Sequence, residues 1–204
     1  MKRLLVVTAA LFALAGCLDL ETRITIENDG SGRIRMLYEA DADLVGYGMF
    51  DHDDSQLPVP FGERDFERLA RETEGLALRS YERRERNGRV TVDAELSFAT
   101  LEALNAVYAG RRDYVALRES NGRMQYTQVI LESTVEELEE ETRAFAEEFL
   151  AGYDLVFEVR APSRIVDHNF GELSADARRV RYQSSMAEYV TSDEVVRWQL
   201  EWER

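Results

Sequence analysis

Two Asn-Gly dipeptides constrain the shape of this chain more than any other feature. Asn87-Gly88 lies between Leu76–Arg86 and Val90–Phe98, and Asn121-Gly122 lies between Tyr114–Glu119 and Met124–Leu131. The flanks alternate apolar and polar side chains, the period-2 pattern of half-buried strands. Asn-Gly supplies the successive positive φ angles of a type I′ turn, so each pair of flanks is expected to fold back as an antiparallel hairpin. A third hairpin is expected earlier. Leu20–Glu27 puts Leu20, Thr22, Ile24 and Ile26 on one side, Asn28-Asp29-Gly30-Ser31-Gly32 turns the chain, and Arg33–Ala40 returns with Ile34, Met36 and Tyr38 in step.

Helical spacing separates the hairpins. Glu63–Glu74 aligns Phe66, Leu69, Ala70 and Thr73 and closes at Gly75, a natural position for a residue that must take positive φ. Thr100 is placed to cap a helix carrying Leu101, Leu104, Val107 and Tyr108, ended by Gly110. Thr134–Ala151 reads as the longest helix, with Val135, Leu138, Thr142, Phe145 and Phe149 on one face and Thr134 and Glu137 as a capping box. Strands follow at Tyr153–Ala161, Arg164–His168, Arg179–Gln183 and Val195–Glu203. The order β-β-α-β-β-α-β-β-α-β-β-β-β predicts an α+β fold, a mainly antiparallel sheet built from hairpins with about three helices packed on one face. With 204 residues, 45% of them apolar, and no low-complexity linker, one domain from Cys17 to Arg204 is expected.

Residues 1–16 read as an address. Lys2 and Arg3 precede Leu4–Ala15, a run broken only by Thr8, which is long enough for a secretory h-region and too short to span a bilayer. Leu14-Ala15-Gly16-Cys17 resembles a lipobox, and Cys17 is the sole cysteine of the chain. The expectation is a signal peptide over residues 1–16, a diacylglyceryl thioether on Cys17 with further acylation (palmitate and the like), and an exported domain. That domain would be held at the cell membrane or the outer membrane and face the periplasm or the cell exterior, since two or more acyl chains anchor stably where one does not.

Charge removes other classes. There are 40 acidic residues against 25 basic, a formal net of −15, and Lys2 is the only lysine. Loss of the signal takes two of the 25 basic residues, leaving 23 against 40, a net of −17. Such a body repels a phosphate polymer, so no nucleic-acid partner is expected, and anionic headgroups do not attract it. Either a halophile's hydrated carboxylate surface or a GC-rich genome writing arginine for lysine accounts for the arginine; only the first accounts for the acid excess.

The sites of common chemistry are missing. One cysteine allows no intrachain disulfide, CxxC pair or cysteine zinc site. No GxSxG elbow, P-loop or GxGxxG occurs. Asp51-His52-Asp53-Asp54 has metal-binding side chains, but an acidic solvated loop explains it more simply than a metal site, whose ligands usually come from separate elements. Asp29-Gly30-Ser31-Gly32 lacks the spaced carboxylates of a calcium loop, and Asp167-His168 at a strand end reads as a surface pair. No metal, no cofactor and no enzymatic activity are expected.

The segment most worth watching is Asp41–Gly62, a connection of about twenty residues, longer than compact domains normally use. Leu44, Val45, Tyr47, Met49, Phe50, Leu57, Val59 and Phe61 load it with apolar surface, while Gly46, Gly48, Pro58 and Pro60 shape its path. Either these side chains cap one end of the core, with a short helix near Ala42–Phe50, or they form a mouth over an apolar groove that takes an acyl chain or a hydrophobic protein segment. Tyr47, Met49, Phe50 and Phe61 are the candidate ligand contacts, with Phe61 expected to behave as core and Tyr47 to Phe50 as surface.

The lipobox, the early strand with its Asn28–Gly32 turn, and the late run from Leu155 through Ala161-Pro162 to the terminal Trp198-x-Leu200 strand together resemble the LppM-like family of bacterial envelope lipoproteins. The resemblance implies a secreted β-rich domain that binds or manages envelope lipids, and it supplies no catalytic residue. Many members continue into a C-terminal membrane helix, and this chain departs from them there, ending on a strand. The function expected is therefore a membrane-anchored envelope lipoprotein acting as a non-catalytic lipid-binding or lipid-handling module; the alternative is a structural or protein-interaction module of the envelope.

Overall fold

The computed structural model describes residues 18–46, 60–108, 114–131, 143–144, 147–148, 150, 152–192 and 195–204. The three expected hairpins are present. β1 (Leu18–Ile26) pairs antiparallel with β2 (Gly32–Asp41) from Leu18↔Ala40 to Ile26↔Gly32. A short helix, α1 (Ala42–Gly46), follows β2, and α2 (Glu63–Glu72) leads into β3 (Leu76–Arg86) and β4 (Arg89–Phe98). After α3 (Leu101–Ala106) come β5 (Val115–Ser120) and β6 (Arg123–Leu131). Asn87 and Gly88 have φ of 54° and 74°, and Asn121 and Gly122 have 54° and 76°, the backbone that the type I′ reading requires. Thr100 caps α3, its side chain accepting from Ala103 N at 3.2 Å. α2 ends within two residues of its expected close, and Gly75 takes φ 80° just beyond it.

The C-terminal third adds β7 (Asp154–Arg160), β8 (Ile165–His168), β9 (Glu172–Leu173), β10 (Arg179–Ser185), α4 (Met186–Thr191) and β11 (Val196–Glu203). α4 was not foreseen: six residues are too few to show a helical period, although Ser185 caps it by accepting from Glu188 N at 3.1 Å. Most of the expected Thr134–Ala151 helix lies outside the described residues.

The expected single sheet is two. Seven strands run in the order β3-β4-β2-β1-β7-β10-β9 and four in the order β5-β6-β11-β8. The larger sheet is mixed, because β7 lies parallel to β1, from Leu20↔Leu155 to Thr25↔Arg160. Hairpins are local and must be antiparallel, whereas β1 and β7 are joined by most of the chain, so nothing in their turns dictates direction. The described helices do not form one layer on one face: α2 lies against β3, α3 reaches both β4 and β5, and α4 lies against β10.

The second sheet covers much of what helices were expected to cover. Ile24, Ile34, Met36, Tyr38, Val92 and Leu96 of the large sheet share one core with Tyr126, Ile130, Trp198, Leu200 and Trp202 of the small one. Trp198 of β11 lies 6.3 Å from Tyr182 of β10, ring centre to ring centre, and Phe170 is 4.7 Å from Tyr182. Asn105 of α3 ties the layers further, donating to Val115 O at 2.9 Å and accepting from Val115 N at 2.7 Å. Phe66 of α2 is fully buried and stands 5.8 Å from Tyr81 of β3.

Candidate functional site

Of the residues singled out as ligand contacts, Phe61 is described and Tyr47, Met49 and Phe50 lie outside the described residues, as does Cys17. Phe61 is 6% exposed, its ring centre 5.5 Å from that of Tyr38, and its carbonyl accepts from the Tyr81 hydroxyl at 3.4 Å. It is a core residue, as expected. Before the segment, Ala42 N donates to Gly88 O at 2.9 Å, and Ala42 and Val45 pack against the core. Both described ends of the 47–59 stretch are therefore seated on the β2, β3 and β4 part of the large sheet.

Between the sheets lies a polar cluster that periodicity did not reveal, because its members fall on apolar faces. Tyr126 donates to Gln128 Oε1 at 2.7 Å, and both side chains are fully buried. The Gln128 Nε2 and the Tyr108 hydroxyl are buried without a hydrogen-bond partner among the described residues. Tyr108 stacks on Tyr114 at 4.1 Å. Burial, with Tyr114, Tyr126 and Tyr38 nearby, pushes the Tyr108 phenol well above its ordinary pKa, so it remains a neutral donor.

On the outer face, β1, β7, β9 and β10 make a cleft of about 360 Å³ lined by Arg23, Arg179, Arg181, Glu158, Glu172, Leu173 and Ser174. Its charges are largely spent on one another. Glu21 accepts from Arg23 at 2.7 Å and from Arg181 at 2.9 Å, and Arg179 stands 3.8 Å from Glu158. Burial pushes the Glu21 carboxyl up, but the two guanidinium groups outweigh it and hold it below the usual carboxylate value. Position 23 meets positions 179–181 only because β7 bridges β1 and β10, which explains why no local motif announced the cleft.

The weaker candidates resolve simply. Asp29 accepts from Ser31 N at 3.0 Å and Ser31 Oγ at 2.6 Å, which is turn chemistry. Asp167 accepts from the His168 backbone N at 3.0 Å, and the His168 Nδ1 is buried with no hydrogen-bond partner among the described residues. His52, with the rest of Asp51–Asp54, lies outside the described residues. Among the described residues no group of three or more His, Cys, Asp or Glu side chains is placed to hold a metal ion, and no helix is long and apolar enough to cross a membrane.

No protein-family model matches the sequence, and no curated protein matches it. Among solved structures, the chain is similar to the folded domain of LppM from Mycobacterium tuberculosis, determined by NMR. The two share 15% identity at a TM-score of 0.52, over 92% of this chain and 91% of that one. This superposition shows that the chain carries the LppM-like fold.

Proposed function

We propose that this protein is an envelope lipoprotein, tethered by acyl chains on Cys17, whose folded domain binds or handles lipid without catalysing a reaction. The observation that carries the reading is the LppM-like fold over 92% of the chain, joined to an N-terminal apolar run that closes on Leu14-Ala15-Gly16-Cys17. Acyl chains supply the membrane attachment that an acidic surface does not. The Asp41–Gly62 segment is the favoured entry for a lipid, because its described ends are fastened beside Tyr38 and Tyr81 while Tyr47, Met49 and Phe50 add apolar side chains between them.

Two measurements test this. Cys17→Ser is expected to appear as unprocessed precursor or to leave the membrane fraction; a processed mature form that stays with the membrane refutes the anchor. Native mass spectrometry of the domain purified from its own envelope is expected to show a co-purifying lipid. A domain that emerges without one and displaces no fluorescent fatty acid removes the lipid-handling role.

A specific observation favours the alternative, a structural or protein-interaction module. Trp198, Trp202, Tyr126, Tyr38 and Phe66 fill the interior between the layers, and among the described residues β3, β5 and β8 are edge strands, the position a partner strand would extend. Loss of a cross-linked envelope partner on changing an edge strand, with lipid binding absent, would establish that reading instead.

A further inference from the structure

β1 begins at Leu18, the residue after Cys17. Leu18 is paired with Ala40 and Asp19 with Glu39. Asp154 N donates to the Asp19 carboxylate at 3.1 Å, and Leu20 is already in register with Leu155 on the other side. β1 thus has a ladder partner in β2 from its first residue and in β7 from its third, in the middle of the seven-stranded sheet. It cannot peel away as a tether without breaking two ladders. A flexible linker of n residues would leave the domain free within roughly 5–6 Å × √n of its anchor. Here one peptide unit, about 3.8 Å between successive Cα atoms, joins the acylated residue to the body of the fold.

We propose that the end of the large sheet at which β1 starts lies against the headgroup layer of the bilayer that holds the anchor, so the domain is presented to the envelope in one fixed orientation. This rests on the acylation of Cys17 proposed above. Strand directions say what that end contains. Antiparallel pairing brings Asp41 and α1 to it at the close of β2, the Asn87-Gly88 turn between β3 and β4, and Ser185 with α4 at the close of β10; parallel pairing brings Asp154. The opposite end carries the turn after β1. Asn28, Asp29 and Gly30 there share a small cleft with Glu119, Met124 and Arg204, which places the Asn121-Gly122 turn and the C-terminal residue on the far side. The nine residues of β1 alone separate the two ends by about 30 Å.

Covalent geometry, not headgroup attraction, sets this orientation. Asp19, Glu39, Asp41, Asp43 and Asp154 crowd the near end, and Arg89 is already paired with Asp19 at 3.5 Å and Glu39 at 2.8 Å. Adding anionic lipid therefore gives no closer contact.

The test uses the full chain, processed and acylated in cells, in phosphatidylcholine vesicles bearing a headgroup spin label. Because the lipid consumes Cys17, Arg86→Cys or Ser120→Cys leaves one free thiol for a fluorophore; both positions are exposed strand ends, one beside each Asn-Gly turn. The label at position 86 is expected to be quenched severalfold more than the label at 120. Inserting about ten Gly/Ser residues after Cys17 should bring the two towards equality. Equal quenching without the insertion, or stronger quenching at 120, overturns the orientation. The mass of the same preparation separates the two readings. A mature chain lacking acyl mass overturns the anchor and this inference with it, whereas an acylated chain with equal quenching overturns the orientation alone.

Discussion

On β2 and β4 every second residue, Ile34, Met36, Tyr38 and Ala40 against Leu96, Ala94, Val92 and Val90, is fully buried. The residues between them, Arg33, Arg35 and Glu39 against Ser97, Glu95 and Thr91, lie on the outer side of the same strands. The inner face is held by removing apolar area from water, at about 25 cal/mol per Å². The outer face is held by ion pairs. Arg35 grips Asp93 through two bonds of 2.8 and 2.5 Å, and Arg89 spans Asp19 and Glu39. Such half-exposed pairs contribute only about 0.2–1 kcal/mol each. One alternating pattern thus yields a face that carries most of the stability and a face whose charges are paired with one another.

The largest blow to that contrast should come from the inner side. Trp198 is fully buried, stacks near Phe170 at 6.3 Å and donates from Nε1 to Phe170 O at 3.0 Å. Trp198→Ala is expected to cost about 3–5 kcal/mol in a denaturant melt. A smaller effect is expected at the turns, where Gly88→Val and Gly122→Val meet open space but must hold φ near +75°. The cost there should be about 1–3 kcal/mol from backbone strain alone. Unchanged melting of both variants would mean that the turns do not set the register.

The smallest effect should come from the outer face. Arg35→Ala is expected to lower stability by less than about 1 kcal/mol, with the loss shrinking further in 1 M salt, where charges are screened within about 3 Å. A cost comparable to that of Trp198→Ala would erase the distinction between the faces. Acid offers a finer probe. The Arg35 guanidinium holds the Asp93 carboxyl below its ordinary value, and Glu21 is also depressed. Carboxyls with a lower pKa folded than unfolded stabilise the fold above their unfolded pKa, and that stabilisation fades as pH falls through the folded value. Asp93→Asn with Glu21→Gln should therefore flatten the acid side of the stability curve below about pH 4 and leave the neutral region less stable than in the parent.

Much of the fold was legible because its signals are local. Asn-Gly turns, the Thr100 cap and period-2 runs each act within a dozen residues, and the strands they predicted appear within one or two residues of their expected ends. Apart from the six-residue α4, what escaped was long-range. The β1–β7 pairing joins residues 20–25 to 155–160, and neither strand carries a mark of the other. The glycine at position 32 gave no hint of a second role beyond its turn. A Cβ there would collide with Thr25 O and come within 2.6 Å of the Phe98 ring, so the close approach of β1, β2 and β4 needs a residue without one. At the candidate site, Phe61 was readable as core from its place beside α2, but the cleft of Arg23, Arg179 and Arg181 was invisible, being assembled from residues more than 150 positions apart.

The sequence alone determined which faces of the strands turn inward, where the hairpins bend, where α3 starts, and how acidic the body is. These follow from alternation, positive-φ residues, a hydroxyl cap and charge count, each of which is a property of a few neighbouring residues. Tertiary structure decided that the eleven described strands form two sheets, that β7 lies parallel beside β1, and that Trp198 and Tyr182 meet across the layers. Those outcomes depend on which apolar faces can bury one another most completely in three dimensions, a comparison over the whole chain that no local segment contains.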